Sequence, residues 1–209
     1  MNDNLAVLRR LTPRLSIFGA LVMVICDVSG ILLNPSYSPL RQGISKLALS
    51  PSTGWLEKLA FAVLGLAILI TAAGLASSEL AKQRRLFLAL SLLLALNGLG
   101  FVVISIFNTD AGAQHTLHGM IHGIAAATSG SVPSLFALIF AIGFIKDERL
   151  RPYVLYTVLV GAFAAIGGLV HLRLPELFGL GIYERILMAL TLIWLGLAGT
   201  GLLKVAETP

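Results

Sequence analysis

Six apolar stretches, at 15–33, 56–77, 86–106, 118–145, 152–170 and 183–203, take up most of this 209-residue chain. Crossing the hydrocarbon core of a bilayer takes roughly 20 predominantly apolar residues, and each stretch meets or approaches that length. Inside lipid every backbone N–H and C=O must be satisfied within its own segment, so stretches of this kind form helices. Composition agrees: 57% of residues are hydrophobic, only 12% are charged, and mean hydropathy is +0.91. A soluble domain carries about twice that share of charge. The expectation is a single all-α integral membrane domain over residues 1–209, a bundle of six transmembrane helices.

Lys and Arg are distributed unevenly between the two ends of such a bundle. With six spans, Arg9, Arg10, Arg14, Lys82, Arg84, Arg85, Lys146, Arg149, Arg151 and Lys204 share one side, whereas Arg41, Lys46, Lys58, Arg173 and Arg185 share the other. The positive-inside rule then puts both termini in the cytoplasm, in the cell membrane. The same basic loops account for the net charge of +5 without nucleic acid as a partner; the partner they imply is the lipid bilayer. Cys26, the single cysteine, lies within the first span and has no mate for a disulfide. The apolar stretch after Arg14 is longer than a signal-peptide core and lacks a clear small-residue cleavage site, so it reads as a retained first helix.

The external connections carry the polar residues. Residues 34–55 hold Pro35, Tyr37, Ser38, Pro39, Arg41, Ser45 and Lys46, a loop longer than most connections and therefore a candidate lid or working loop. All four histidines, His115, His118, His122 and His171, gather at the same side, with Asp110, Glu176, Glu184 and Arg185 beside them. His118 and His122 are one helical turn apart and His115 returns to nearly the same face. Two imidazoles at that spacing, with His171 or Asp110 as a further ligand, are a usable zinc geometry, and a zinc-bound water would supply a hydrolase with its nucleophile. The alternative is interfacial histidines bonded to loop backbone or water.

Asp110 either caps the turn into the fourth helix or orients a histidine. Asp27 lies about two turns inside the first helix, where an unpaired carboxylate costs roughly 2.5 to 3.5 kcal/mol, so it must face the bundle interior with a partner. Arg185 or a histidine is the natural one. Glu184 suits the positive end of a helix and Arg185 does not, so Arg185 reaches for an acid or an anionic group such as a lipid headgroup. Tyr37, Trp55, Tyr153, Tyr156 and Tyr183 are expected in the interfacial aromatic belt. Spread along the spans, Gly65, Gly98, Gly119, Gly123 and others are expected to let helices approach closely, and Pro133 to kink the fourth helix.

Tyr37-Ser38 with Arg41, Ile44-Ser45 and Leu47, then Phe107, Asp110, Thr116, Gly119 and His122, then Glu184-Arg185 together resemble the six-helix bacterial and archaeal membrane family catalogued as domain of unknown function 998. Lys46 stands where that family's pattern has an acid. The resemblance implies a six-helix membrane protein and no settled activity. It supports Asp110 and His122 as candidate catalytic groups and Ser38, Arg41, Ser45, Glu184 and Arg185 as candidate binding groups, to which the cost of an intramembrane acid adds Asp27. The sequence is most consistent with a membrane protein that binds a lipid headgroup or small molecule at its external face. A zinc-dependent membrane hydrolase or lipid-modifying enzyme is the alternative, with His115, His118, His122 and His171 as ligands. A small proton-coupled transporter is the second alternative. It is disfavoured because the inner half offers little polarity beyond Thr71, Ser91, Asn97 and Thr191.

Overall fold

The computed structural model describes residues 3–77, 85–112, 115–145, 148, 150–174 and 179–207. Among them are six long helices: α1 (Asp3–Leu33), α2 (Gly54–Ala76), α3 (Arg85–Ile106), α4 (Leu117–Phe144), α5 (Val154–Arg173) and α6 (Leu180–Glu207). A six-residue 3-10 segment, Ile44–Leu49, lies in the first connection and a short one, Arg151–Tyr153, leads into α5. The first helix begins twelve residues before its expected span, so Arg9 and Arg10 are helical. The fifth runs past its expected end, so His171 is helical and not in a loop. Helix α4 continues through Pro133 without interruption.

Four segments are long and apolar enough to cross a membrane by length and composition: Arg14–Leu33, Gly54–Ala76, Arg85–Ile106 and Arg151–Val170. Their outward faces carry Leu21, Ile25, Leu32, Leu66, Leu92, Leu96, Leu155, Leu159 and Ile166, all exposed. Water would penalise so extensive an apolar surface, whereas lipid does not. The chain is a multi-pass membrane protein.

Each helix packs against its neighbour in sequence, and α6 returns to α1, which closes a ring. Helices α2 and α3 are about half buried, whereas α1 and α5 lie mostly exposed at the periphery. Lipid provides no hydrophobic force between helices, so close approach has to do the work of association. Gly65 and Gly98 provide it reciprocally between α2 and α3: a Cβ on Gly65 would stand 2.7 Å from the Gly98 carbonyl oxygen, and one on Gly98 2.8 Å from that of Gly65. Two residues on, Gly100 faces α4, where a side chain would run into Ser129.

Polar ties supplement the close packing. Ser16 and Thr71 bond at 2.6 Å between α1 and α2, and Trp194 donates to Thr157 at 2.9 Å between α6 and α5. Tyr156 donates to the Leu190 carbonyl at 3.0 Å and Tyr183 to that of Ala164 at 3.1 Å. These two tyrosines therefore tie α5 to α6 and are not members of an outer aromatic belt. A phenolic hydroxyl at membrane depth needs an acceptor, and a neighbouring helix supplies one. Trp55, 61% exposed, does face outward at the start of α2.

Candidate functional site

The first connection folds down onto the end of the bundle. Arg185, in the second turn of α6, donates from Nη2 to Asp27 Oδ1 at 2.8 Å and from Nε to Oδ2 at 3.1 Å, a two-pronged ion pair between α6 and α1. Asp27 thus has Arg185 as its partner, and no histidine fills that role. The side chains are only 19% and 14% exposed, so the charges are largely removed from solvent. Arg185 Nη1 donates to the Pro39 carbonyl at 2.8 Å and Nη2 to the Tyr37 hydroxyl at 2.9 Å. Tyr37 in turn donates towards the carbonyls of Gln42 and Gly43, at 2.8 and 2.9 Å. Burial raises the Tyr37 hydroxyl above its usual range, opposed by the hydrogen bond from Arg185.

Two further contacts fasten this loop. Glu184 Oε2 accepts the Ile44 N–H at 2.7 Å, and Ile182 N–H donates to the Leu40 carbonyl at 3.1 Å. Gly181 makes the approach feasible, since a Cβ there would fall onto the carbonyls of Pro39 and Gln42. Ser38 caps a tight turn, its N–H donating to the Gln42 side chain at 2.8 Å, and Arg41 is exposed on the outside of the loop. Neither comes to the interior. Lys46 reaches across to donate to the Asp110 backbone carbonyl, which joins the first connection to the one between α3 and α4.

Beneath this loop is a cavity of about 120 Å³. Ile44 and Ser45 roof it, and its walls come from Phe61 of α2, Asn97, Phe101 and Ile104 of α3, His122, Ala126, Ser129 and Gly130 of α4, and Glu184, Leu187, Met188 and Thr191 of α6. No described side chain of α1 or α5 lines it. Seven positions separate His122 from Ser129, Glu184 from Thr191 and Asn97 from Ile104, so the cavity descends about 10 Å into the bundle. Asn97 and Thr191, expected to be isolated polar residues of the inner half, line its inner end. Asn97 Nδ2 donates to the Ser129 carbonyl at 3.0 Å and Thr191 to that of Leu187 at 2.8 Å.

The histidines divide. His122 is 6% exposed and its Nδ1 lies 2.8 Å from the Phe107 carbonyl oxygen. That oxygen only accepts, so Nδ1 carries the proton, and Nε2 is the free nitrogen of a ring that lines the cavity. His118 is exposed, with its ring 5.1 Å from that of Phe107, and His115 is exposed as well. The side chain of His171, like the whole of Glu176, lies outside the described residues. Among the described residues, no three His, Cys, Asp or Glu side chains stand close enough to hold a metal ion.

Asp110 holds the helix-capping residue in place. Its carboxylate accepts the Thr116 hydroxyl at 2.5 Å and the Thr116 N–H at 3.2 Å, and Thr116 itself caps α4 by accepting the Gly119 N–H at 3.0 Å. Gly119 has no side chain where the Asp110 carboxylate lies. The Thr116 hydroxyl bond, more than any other influence, holds the Asp110 carboxyl below the usual range.

Sequence reasoning passed over Glu57. It is 1% exposed, and neither carboxyl oxygen has a hydrogen-bond partner among the described residues. It lies within electrostatic reach of Asp27, Glu184 and Arg185. A signal was present: Glu57, Phe61, Leu64 and Ile68 recur at intervals of three and four, the buried face of α2. An acid in the first turn of a helix, beside Lys58, is an ordinary occurrence, so the residue type alone does not single it out.

Comparison with curated proteins and with solved structures finds no match. The sequence signature of the family described as "Protein of unknown function (DUF998)" matches residues 17–201, which include Asp27, the docked loop, every residue lining the cavity and the Glu184-Arg185 pair. The chain belongs to this family.

Proposed function

We propose that this protein crosses the cell membrane six times with both termini in the cytoplasm, and that its extracytoplasmic end binds a small amphipathic molecule or lipid portion in the chamber beneath the first loop. The observation that carries this reading is the cavity itself: apolar walls, a few polar groups at defined positions, and a cover fastened to two helices. Binding sites in proteins share this character, mostly apolar with a small number of orienting polar groups. His122, Ser45 and Glu184 are the binding groups at the outer end. Asp27 and Arg185 hold the roof in place without lining the chamber, and Asp110 sets the start of the helix that presents His122.

Gly130 supplies the test. It lines the chamber, and a Cβ built on it meets no described atom within 4 Å. A leucine there enters open space and fills the site without breaking a helix contact. Benzyl alcohol serves as the probe because it pairs an apolar ring, of the kind small apolar cavities accept, with one polar group. At ten times its dissociation constant it stabilises the wild type by about 1.4 kcal/mol, a rise of a few degrees in melting temperature that goes on growing with the logarithm of concentration. Gly130→Leu abolishes the rise. No rise in the wild type, or a rise unchanged in Gly130→Leu, refutes the reading.

A further inference from the structure

Most of the chamber's open polar atoms are acceptors. His122 Nε2, Glu184 Oε1 and Asn97 Oδ1 have no hydrogen-bond partner among the described residues, because each side chain uses its other polar atom on a backbone group. The Ser129 and Thr191 hydroxyls already direct their protons to backbone carbonyls. Among the described residues, Ser45 has the one hydroxyl lining the chamber that no hydrogen bond engages. A ligand that satisfies three acceptors in an apolar enclosure must bring donors, since a buried polar atom left unpaired costs about 1–3 kcal/mol.

Charge narrows the class further. Arg185 directs two of its N–H groups to Asp27 and others to Tyr37 and Pro39, so among the described residues the Glu184 carboxyl has only the Ile44 N–H as a hydrogen-bonded neighbour. Phe61 and Phe101, with ring centroids 6.1 Å apart, add aromatic surface to the walls. A carboxyl, free imidazole nitrogen and aromatic rings in one apolar chamber are what an organic ammonium group recognises. We infer that the chamber is selective for a small primary amine with an apolar body, whose ammonium group sits between Glu184 and His122 and whose body reaches down towards Asn97. This rests on the proposed chamber being a binding site.

Three probes of one shape separate the possibilities: benzylamine, an ammonium at neutral pH, benzyl alcohol and toluene. Each is titrated against the full-length protein in detergent, with melting temperature as the readout. Benzylamine binds about tenfold more tightly than benzyl alcohol, the gain of a charge-assisted hydrogen bond, and toluene binds most weakly. Glu184→Gln keeps an oxygen to accept the Ile44 N–H and lowers benzylamine affinity about tenfold, with benzyl alcohol changed by less than about twofold. Comparison of the probes on the wild type stands even where a variant does not fold. If amine and alcohol bind equally and Gly130→Leu removes both, the amine selectivity is overturned and the chamber reading survives. If no probe responds to Gly130→Leu, both are overturned.

Discussion

The Asp27–Arg185 pair should couple α1, α6 and the first loop strongly enough to measure. Asp27→Asn keeps the shape of the side chain and removes its charge, leaving the guanidinium with Tyr37 and backbone carbonyls. Removing one partner of a fully buried pair costs about 3–5 kcal/mol because the other charge is stranded. Here the side chains are 19% and 14% exposed and Arg185 retains several acceptors, which places the loss nearer 2–3 kcal/mol. Unfolding in a denaturing detergent, run as a cycle with Arg185→Met and the double variant, isolates a coupling of about 2 kcal/mol. The loop reports the same quantity independently. Exposed Arg41 is a trypsin site, and where cleavage follows the open population, 2 kcal/mol corresponds to a roughly 30-fold faster cut in Asp27→Asn. A coupling below about 0.5 kcal/mol with unchanged cleavage would show that the pair does not hold the loop.

Two other expectations concern packing and pH. Gly98→Val sets branched carbon against the Gly65 carbonyl and the Leu69 backbone and costs at least about 2 kcal/mol in the same unfolding assay, whereas Gly130→Ala, which meets open space, costs nothing or stabilises. Asp110 sits below its ordinary value of 3.8 in the folded protein, so its cap contributes fully above that value and is lost as pH falls through the lower folded value. The melting-temperature gap between wild type and Asp110→Ala is accordingly full at pH 7 and narrows as pH falls below 3.8; a gap independent of pH contradicts this role.

Much of the helical architecture is visible in the sequence because it depends on local quantities. Runs of apolar residues locate all six helices, and the cost of an intramembrane carboxylate singles out Asp27 and looks for a cation such as Arg185. What escaped depends on distance along the chain. The docked loop is held by contacts between residues 140 to 158 positions apart, for which hydropathy carries no signal. Spacing alone grouped His118 with His122 on one side of α4, but one turn and 40° of rotation separate an exposed imidazole from a buried one. The chamber is equally non-local, since its lining comes from four helices and the loop. Glu57 was hidden by its ordinary surroundings in sequence, and only the phase of α2 reveals that it turns inward.

The account centres on a chamber that opens to the extracytoplasmic side, and the single cysteine of this chain makes that directly measurable. In a Cys26→Ala background, Gly130→Cys places one thiol on the chamber wall, where intact cells are exposed to a small membrane-impermeant methanethiosulfonate. The account predicts that Gly130→Cys is labelled from outside the cell and that saturating benzylamine slows the reaction. Labelling that appears only after the membrane is permeabilised, or that benzylamine leaves unchanged, would contradict it.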